Sequence, residues 1–434
     1  MLLVYSNKIS ERLEYIIDVL SDCIQIRKFE ITSNKNYYTT ANCYKINYSS
    51  EKICEEELQI IPHALLFEEN ITLQNISIER KNEIPYFFKT AENNGFDILA
   101  ASFYLLVRYD EYLPHTLDEY SRYSHTNSIA FKYNFLHLPL VNIWFNQIET
   151  SLNNQLEDKK LEKKNFQFLA TYDIDIVYSY KAKSFSVTIV ALFRDFLKGN
   201  VLLFVERLKV LFNFKNDPSD IFNWLNELHN KYHLPSLYFI LFASKKVEYD
   251  KNISIDNIHF KKLIKEQADK NEFGIHPSWQ SGDNEFLVQS EIQNLSKLIN
   301  KDIIKSRQHY IRFKLPATFR KLIAAGIKTD YSMGYGSING FRASYCLPYK
   351  WFDLGKNEKT NLTLVPFCYM DANAIFEQKY SPTEAGKELQ HYYDIVKSVN
   401  GCLVTIFHNH FLTEQREWKG WRNMYEEFLK ENFI

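Results

Sequence analysis

The stretch FQFLATYDIDIVYS, residues 166–179, joins an apolar run to two acids and decides the predicted fold class. The run ends in Thr171 and has the length of a buried strand. Asp173 and Asp175 follow with one residue between them. In α/β proteins the groups of an active site sit at the carboxyl ends of strands, so this acid pair indicates a site for chemistry.

Strand-like and helix-like segments alternate along the chain after residue 165. SLYFILF and CLVTIFHNH have the pattern of strands, and DPSDIFNWLNELHNKYH has the pattern of a helix that begins at Asp217 and Pro218. This alternation predicts an α/β fold with a mostly parallel sheet, either open or closed as a barrel.

The length of 434 residues favours more than one domain. A charge run without aromatics, EDKKLEKK, lies between Gln155 and Asn165 and marks the predicted boundary. We therefore expect a small N-terminal α/β domain over 1–155 and a larger domain over 165–434. The apolar segment 184–214 is interrupted by charges and predicts a helical insertion, for which core packing is favoured over contact with a partner or a membrane surface.

Composition excludes several classes of partner. Lys and Arg total 52 against 53 Asp and Glu, so no global field favours nucleic acid. The six cysteines form no CxxC pair, which favours reduced thiols. The first apolar run is too short for a signal peptide, and no later run is long enough to span a membrane. We expect a cytoplasmic protein, with peripheral membrane contact left open.

Acids, imidazoles and an arginine recur where the predicted strands end. A carboxylate and an imidazole from different strands suit a divalent metal such as zinc, while a second carboxylate accepts a proton from water. An opposing imidazole can protonate a leaving group, which completes an arrangement for hydrolysing an amide or ester. The strand-end residues are Asp173, Asp175, His276, Ser278, Ser281, Arg307, His309, Tyr310, Asp330, His408 and His410.

Four motifs in sequence order carry a family resemblance. TYDID at 171–175, the histidine of GIHPSWQS, RQHY at 307–310 and IFH at 406–408 resemble the motifs of the polysaccharide deacetylases (NodB-like, carbohydrate esterase family 4). The resemblance covers about residues 165–434, and FDILASFYLLVRYDEYLP resembles the companion domain that precedes a subset of these enzymes. It implies a distorted parallel (β/α) barrel and metal-dependent deacetylation, chiefly N-deacetylation, of a sugar or polysaccharide. Zinc is the expected metal, and an acetylated sugar or glycan is the expected partner.

The resemblance also implies roles for individual residues. Asp173 matches the catalytic base and His408 the catalytic acid. Asp175 and His276 match metal ligands. The remaining matches are Arg307, which orients the base, Tyr310, whose backbone N–H stabilises the oxyanion, and Asp330, which orients His408.

One departure concerns the second metal-binding histidine of the family, because Gln280 stands at that position. Ser281 is the expected replacement ligand, with Gln280 or a water as alternatives. His309 and His410 match no family position and receive no role. Arg342, in GFRAS, fits either substrate contact or a surface salt bridge.

Two other functions compete with hydrolysis. A deacetylase scaffold that has lost its metal would bind glycan without cleaving it. A D-x-D pair after a strand is also typical of nucleotide-sugar glycosyltransferases, where the acids hold a metal on a diphosphate. No glycine-rich phosphate loop accompanies the pair, which disfavours the second alternative.

Overall fold

A computed structural model describes residues 1–55, 57–91, 95–156, 160–244 and 247–433. The chain begins with a parallel four-stranded sheet formed by β1 (Leu2–Ser6), β2 (Phe29–Thr32), β3 (Tyr44–Tyr48) and β4 (Leu58–Gln59). The strand order is β2-β1-β3-β4, with all pairs parallel. Helix α1 (Glu11–Cys23) follows β1, and the Ser10 side chain caps it by accepting a hydrogen bond from the Leu13 N–H.

Short elements complete the N-terminal part. Two antiparallel pairs join β5 (Glu79–Lys81) to β6 (Ile84–Tyr86) and β7 (Lys89–Ala91) to β8 (Gly95–Phe96). Within the described residues, its remaining α-helices are α2 (Lys35–Thr40), α3 (Ile98–Leu106), α4 (Ile129–Lys132) and α5 (Leu140–Asn153).

The rest of the chain builds a nine-stranded sheet with helices between its strands. The strands are β9 (Gln167–Ile174), β10 (Ser236–Leu241), β11 (Glu272–His276), β12 (Lys305–Ser306), β13 (Thr329–Asp330), β14 (Tyr349–Asp353), β15 (Glu358–Leu364), β16 (Tyr369–Met370) and β17 (Cys402–His408). The helices are α6 (Phe185–Leu197), α7 (Val201–Leu211), α8 (Phe222–Tyr232), α9 (Ile258–Ala268), α10 (Glu285–Ile299), α11 (Ala317–Ala324), α12 (Pro382–Ser398) and α13 (Trp421–Asn432).

This sheet is mixed rather than purely parallel. Its order is β14-β15-β13-β12-β11-β10-β9-β17-β16, and every pair is parallel except β14 with β15. The α/β class is therefore confirmed. Because β14 and β16 are the two ends of this order in the described ranges, closure into a distorted barrel stays a prediction.

The register brings polar strand ends together. His408 of β17 pairs with Asp173 of β9, and Phe239 of β10 pairs with that same aspartate on the other side. His276 ends β11 opposite the last residue of β10. The carboxyl ends of these adjacent parallel strands consequently form one edge, where the predicted site residues lie.

The N-terminal part packs closely on the nine-stranded sheet. One cluster of buried apolar side chains extends from β1 to α13. Tyr15 of α1 contacts Phe352 of β14 with ring centroids 4.9 Å apart and donates its hydroxyl to the Lys350 carbonyl at 2.9 Å. The predicted division at 155–165 stays a prediction, and residues 157–159 within it lie outside the described residues.

Arg342 lies in a buried ion network and not in a surface salt bridge, which corrects that alternative. Its Nη2 lies 2.6 Å from Glu111 Oε2, and its Nε lies 2.8 Å from Oε1. Arg108 Nε donates to the same carboxylate at 2.8 Å. Since Glu111 belongs to the N-terminal part, this pair ties the two parts of the chain together.

The segment 184–214 forms helices α6 and α7, but its apolar side chains are exposed. Phe185 is 82% exposed, Leu202 79% and Phe214 84%. The expectation that this segment packs in the core is therefore wrong. A search of the described residues finds no helix with the length and hydropathy that a membrane span requires.

Candidate active site

Asp173 is the buried acid of the pair at the end of β9. Its Oδ1 accepts a hydrogen bond from Arg307 Nη1 at 2.8 Å. The Nε of Arg307 donates to the Tyr331 carbonyl at 3.1 Å, and the guanidinium lies 4.3 Å from the centroid of the Phe239 ring. A planar cation held on three sides in this way fixes the orientation of the carboxylate.

Asp175 lies between two histidines. Its Oδ1 is 3.5 Å from His276 Nε2, and its Oδ2 is 3.8 Å from His309 Nε2. The Nδ1 of His276 is hydrogen-bonded to the Arg307 carbonyl at 2.7 Å, and the Nδ1 of His309 to Asp250 Oδ1 at 3.1 Å. These outer contacts leave both Nε2 atoms directed at Asp175, the orientation that metal-binding histidines take.

The chemistry of this group fits a divalent metal. One ligand atom from each of Asp175, His276 and His309 lies within 4.8 Å of the other two. Asp175 Oδ1 is buried and has no hydrogen-bond partner among the described residues. Burial acts to raise the pKa of Asp175, but His309, His408, His276 and His410 outweigh it and hold that pKa well below its usual value. Two imidazoles and an ionised carboxylate are a ligand set that zinc accepts.

Sequence reasoning gave His309 no role and named Ser281 as the expected third ligand. The Ser281 hydroxyl donates to the Ser278 carbonyl at 2.7 Å, within a short 3₁₀ helix over Gln280–Gly282. The Gln280 side chain is exposed, whereas the three candidate ligands lie in the interior of the site. The candidate third ligand therefore lies in the segment after β12 and not in the one after β11. A histidine two residues after Arg307 was the signal available for it.

His408 faces the acid pair and is oriented by Asp371. The His408 Nε2 lies 4.0 Å from Asp173 Oδ2 and 3.8 Å from Asp175 Oδ2. Asp371 accepts from the His408 ring Nδ1 at 2.6 Å and from its backbone N–H at 2.6 Å. Burial lowers the pKa of His408, but Asp371 and the acid pair together raise it to about 9.

Asp330 does not orient His408, so that prediction is wrong. Its carboxylate accepts hydrogen bonds from the Ser306 hydroxyl at 2.7 Å and from the Ser332 N–H at 2.8 Å. Burial raises the pKa of Asp330 to about 6. Asp371 directly follows β16, so the rule that selected the other strand ends applies to it as well.

Residues from the N-terminal part reach the opening of the site. A cavity of about 310 Å³ is lined by Tyr120, Asp173, Asp175, His309, Tyr310 and His408 among others. Arg122 Nη1 donates to the carbonyls of Tyr310 at 2.7 Å and Gly336 at 3.1 Å. Tyr310 has a φ of 58°, a left-handed conformation that is uncommon for a residue with a side chain and that this contact helps to hold.

Aromatic rings extend the site beyond the candidate ligands. The Tyr120 ring lies 5.2 Å from the Tyr310 ring, and the Trp279 ring stacks on Tyr249 at 4.0 Å. His410 receives no ligand role in the described site, and burial lowers its pKa to about 3.

Comparisons with known proteins give a family model and distant structural neighbours. Residues 2–157 match the model of a family of unknown function, DUF7033. A search of curated proteins finds no match. A Mycobacterium smegmatis structure with a provisional assignment as a polysaccharide deacetylase is 13% identical, covers 63% of this chain and 86% of its own, and has a TM-score of 0.39.

Two further crystal structures are similar at the same distance. A polysaccharide deacetylase from Bacillus cereus is 10% identical, with 62% of this chain and 88% of its own covered and a TM-score of 0.31. A CE4 family pseudoenzyme from Bacillus anthracis is 9% identical, with 62% of each chain covered and a TM-score of 0.31. With every TM-score below 0.5, these similarities assign no activity.

Proposed function

We propose that this protein is a metal-dependent hydrolase that removes an acyl group, chiefly N-acetyl, from a sugar or glycan. The observation that carries the proposal is that the two acids, Asp173 and Asp175, have different partners. Asp173 is ion-paired with Arg307, Asp175 faces two histidine Nε2 atoms, and His408 lies about 4 Å from both acids. Base, metal ligands and acid are therefore separate groups at one site: Asp173, Asp175, His309 and His408 line the same cavity, and His276 lies beside Asp175.

Asp175, His276 and His309 are the residues that would hold the metal. Zinc suits one carboxylate and two imidazoles, and when bound it acts as a Lewis acid that polarises the acyl carbonyl and makes water more acidic. The chain itself supplies the orientation of these ligands through Asp250 and the Arg307 carbonyl.

The chain's own groups account for the proton transfers. Asp173 takes a proton from the attacking water as the water oxygen bonds to the acyl carbon. Arg307 keeps the Asp173 carboxylate oriented toward that water. His408 donates its Nε2 proton to the departing nitrogen as the carbon–nitrogen bond breaks. Because the pKa of His408 is raised to about 9, its imidazole carries that proton at neutral pH.

The cavity lining supports a sugar as the acyl carrier. Tyr120, Tyr310, Phe376 and Phe411 supply ring faces beside the charged groups. Rings that bury an apolar face while keeping polar groups at the rim fit a pyranose, which has both kinds of surface. Glycan binding without cleavage is the second candidate, and it is motivated by Gln280 at the position where the resemblance implies a metal-binding histidine.

Metal content tests the proposal without relying on a substrate. After zinc reconstitution and dialysis, mass spectrometry is expected to find near-stoichiometric zinc in the wild-type protein. Asp175→Ala, His276→Ala and His309→Ala should lose it. Ser281→Ala should retain zinc, as should His259→Ala, which removes an exposed histidine of α9.

The two candidate functions predict different results for the reconstituted protein. Zinc-loaded protein that releases acetate from N-acetylglucosamine oligomers supports hydrolysis. Absence of zinc after reconstitution, together with oligosaccharide binding in titration calorimetry, would replace the hydrolase with the glycan-binding protein. Zinc retained in His309→Ala but lost in Ser281→Ala would return the ligand role to Ser281.

A further inference from the structure

The hairpin of α6 and α7 presents an unusual outward apolar surface. Single exposed apolar residues are ordinary in proteins, but contiguous apolar patches mark contact with a protein or a membrane. Within 185–214, large apolar side chains more than 60% exposed include Phe185, Phe193, Phe196, Leu202, Phe212 and Phe214.

The inward side of the same hairpin carries a buried ion pair. The buried residue of α6 is Asp195, and those of α7 are Arg207 and Val210. Asp195 Oδ2 accepts from Arg207 Nε at 3.0 Å, and the Arg207 guanidinium lies 4.4 Å from the centroid of the Tyr180 ring. Charged groups inside and aromatic groups outside invert the pattern of a helix packed on a protein core.

The charge of the segment indicates what the apolar face meets. Residues 181–215 contain seven basic and two acidic residues, a net charge of +5 in a chain whose total is -1. Both acids are paired within the segment, Asp195 with Arg207 and Glu206 with Lys215. Lys198 and Lys209 are exposed beside the apolar face. Apolar side chains flanked by lysine and arginine fit the interface of a bilayer that contains anionic lipid.

We propose that the hairpin of α6 and α7 docks this protein on an anionic phospholipid surface. The hairpin follows the end of β9, so it leaves the sheet at the same edge as Asp173 and Asp175. It is anchored there, because Tyr180 accepts a hydrogen bond from Gln415 Nε2 at 2.7 Å and Gln415 follows β17. Docking brings the edge that carries the candidate site to the membrane.

Sedimentation with lipid vesicles tests the proposal on the full chain. The wild-type protein should bind vesicles of equal parts phosphatidylglycerol and phosphatidylcholine, and bind pure phosphatidylcholine vesicles more weakly. Phe193→Ser should weaken binding about tenfold, because burying one phenylalanine side chain in the lipid strengthens binding by about that factor. Lys209→Gln should weaken it about fivefold, and only on the anionic vesicles.

Helix α10 offers matched controls, because Phe286 is 84% exposed and Lys297 is also exposed. Phe286→Ser and Lys297→Gln should bind vesicles as the wild type does. Circular dichroism and light scattering of each variant check its folding and its state of association. No binding of the wild type to anionic vesicles, or equal losses in the α10 variants, would overturn the proposal. A wild-type dimer that dissociates on Phe193→Ser and ignores vesicles would assign the face to a second copy of the chain.

Discussion

Replacing Asp371 by Asn should lower the pKa of His408 and move the alkaline limit of activity to lower pH. The wild-type pKa of His408 is raised from 6.5 to about 9. That difference is equivalent to ~3 kcal/mol in favour of the protonated imidazole. Because burial alone would lower the pKa of His408, the stabilisation of the protonated imidazole by the surrounding carboxylates must exceed this net difference.

The geometry shows why Asn cannot replace Asp371. The carboxylate accepts two hydrogen bonds at 2.6 Å, one from the ring Nδ1 and one from the backbone N–H of His408. An amide has a single acceptor oxygen, so its NH₂ group must face one of these donors. The remaining acids, Asp173 and Asp175, lie 4.0 and 3.8 Å from Nε2. We expect the pKa of His408 in the variant to fall by about two pH units, to near 7.

Histidine NMR titration and the pH profile of kcat measure this change. In the wild type the His408 ring should titrate near pH 9, and kcat should fall as that proton is lost. In Asp371→Asn both midpoints should move down together. Asp330→Asn is the matched control, since Asp330 is equally buried but bonds Ser306 and Ser332. An Asp371→Asn midpoint still near 9, or an equal shift in Asp330→Asn, would refute the assignment.

Three further predictions concern the base, the buried ion network and pH. Asp173→Asn should abolish turnover while zinc content is unchanged, and intact turnover would remove Asp173 from the base role. Arg342→Met should lower the free energy of unfolding by ~2–3 kcal/mol in urea titrations, because buried Glu111 loses the two charge-assisted hydrogen bonds from Arg342 and keeps the one from Arg108. Lys356→Met, which breaks the exposed pair with Glu358, should cost at most ~1 kcal/mol, and equal losses would count against the burial argument. Since the folded pKa of His408 is raised, the stabilisation that comes from its protonation is complete below pH 6.5 and is lost as pH rises through about 9. Unfolding titrations at both limits should show this loss in the wild type and a much smaller loss in Asp371→Asn.

Much of the candidate site could be predicted from one rule about parallel strands. Asp173, His276 and His408 end β9, β11 and β17 or lie within two residues of their ends, and adjacent parallel strands bring such positions together. The pattern of alternating segments was enough to predict this. Asp371 was not predicted as a site residue, because β16 has only two residues and hydrophobic periodicity cannot separate so short a strand from the preceding one.

Side-chain direction was harder to predict than strand position. His309 lies in a 3₁₀ turn that continues into Tyr310 and Ile311, both with left-handed backbone conformations. Hydrophobic periodicity carries no signal for such a turn, so the direction of the His309 ring could not be inferred. The exposure of the hairpin of α6 and α7 was mispredicted for a related reason. An apolar helical pattern indicates which face of a helix is apolar but not what that face contacts.

The substitution of Gln280 for an expected histidine does not by itself imply loss of the metal site. A side chain binds a metal through the position of its donor atom. Residues from more than one strand end can bring a donor atom to the same position. His309 Nε2 lies 3.8 Å from Asp175 Oδ2 and its ring is held by Asp250, so the donor comes from the segment after β12. Gln280 meanwhile is exposed on the segment after β11, next to Trp279 and Asn284 and away from the acid pair. The sequence motif is interrupted, but a second imidazole still lies beside Asp175, and this geometry favours the hydrolase over the glycan-binding alternative.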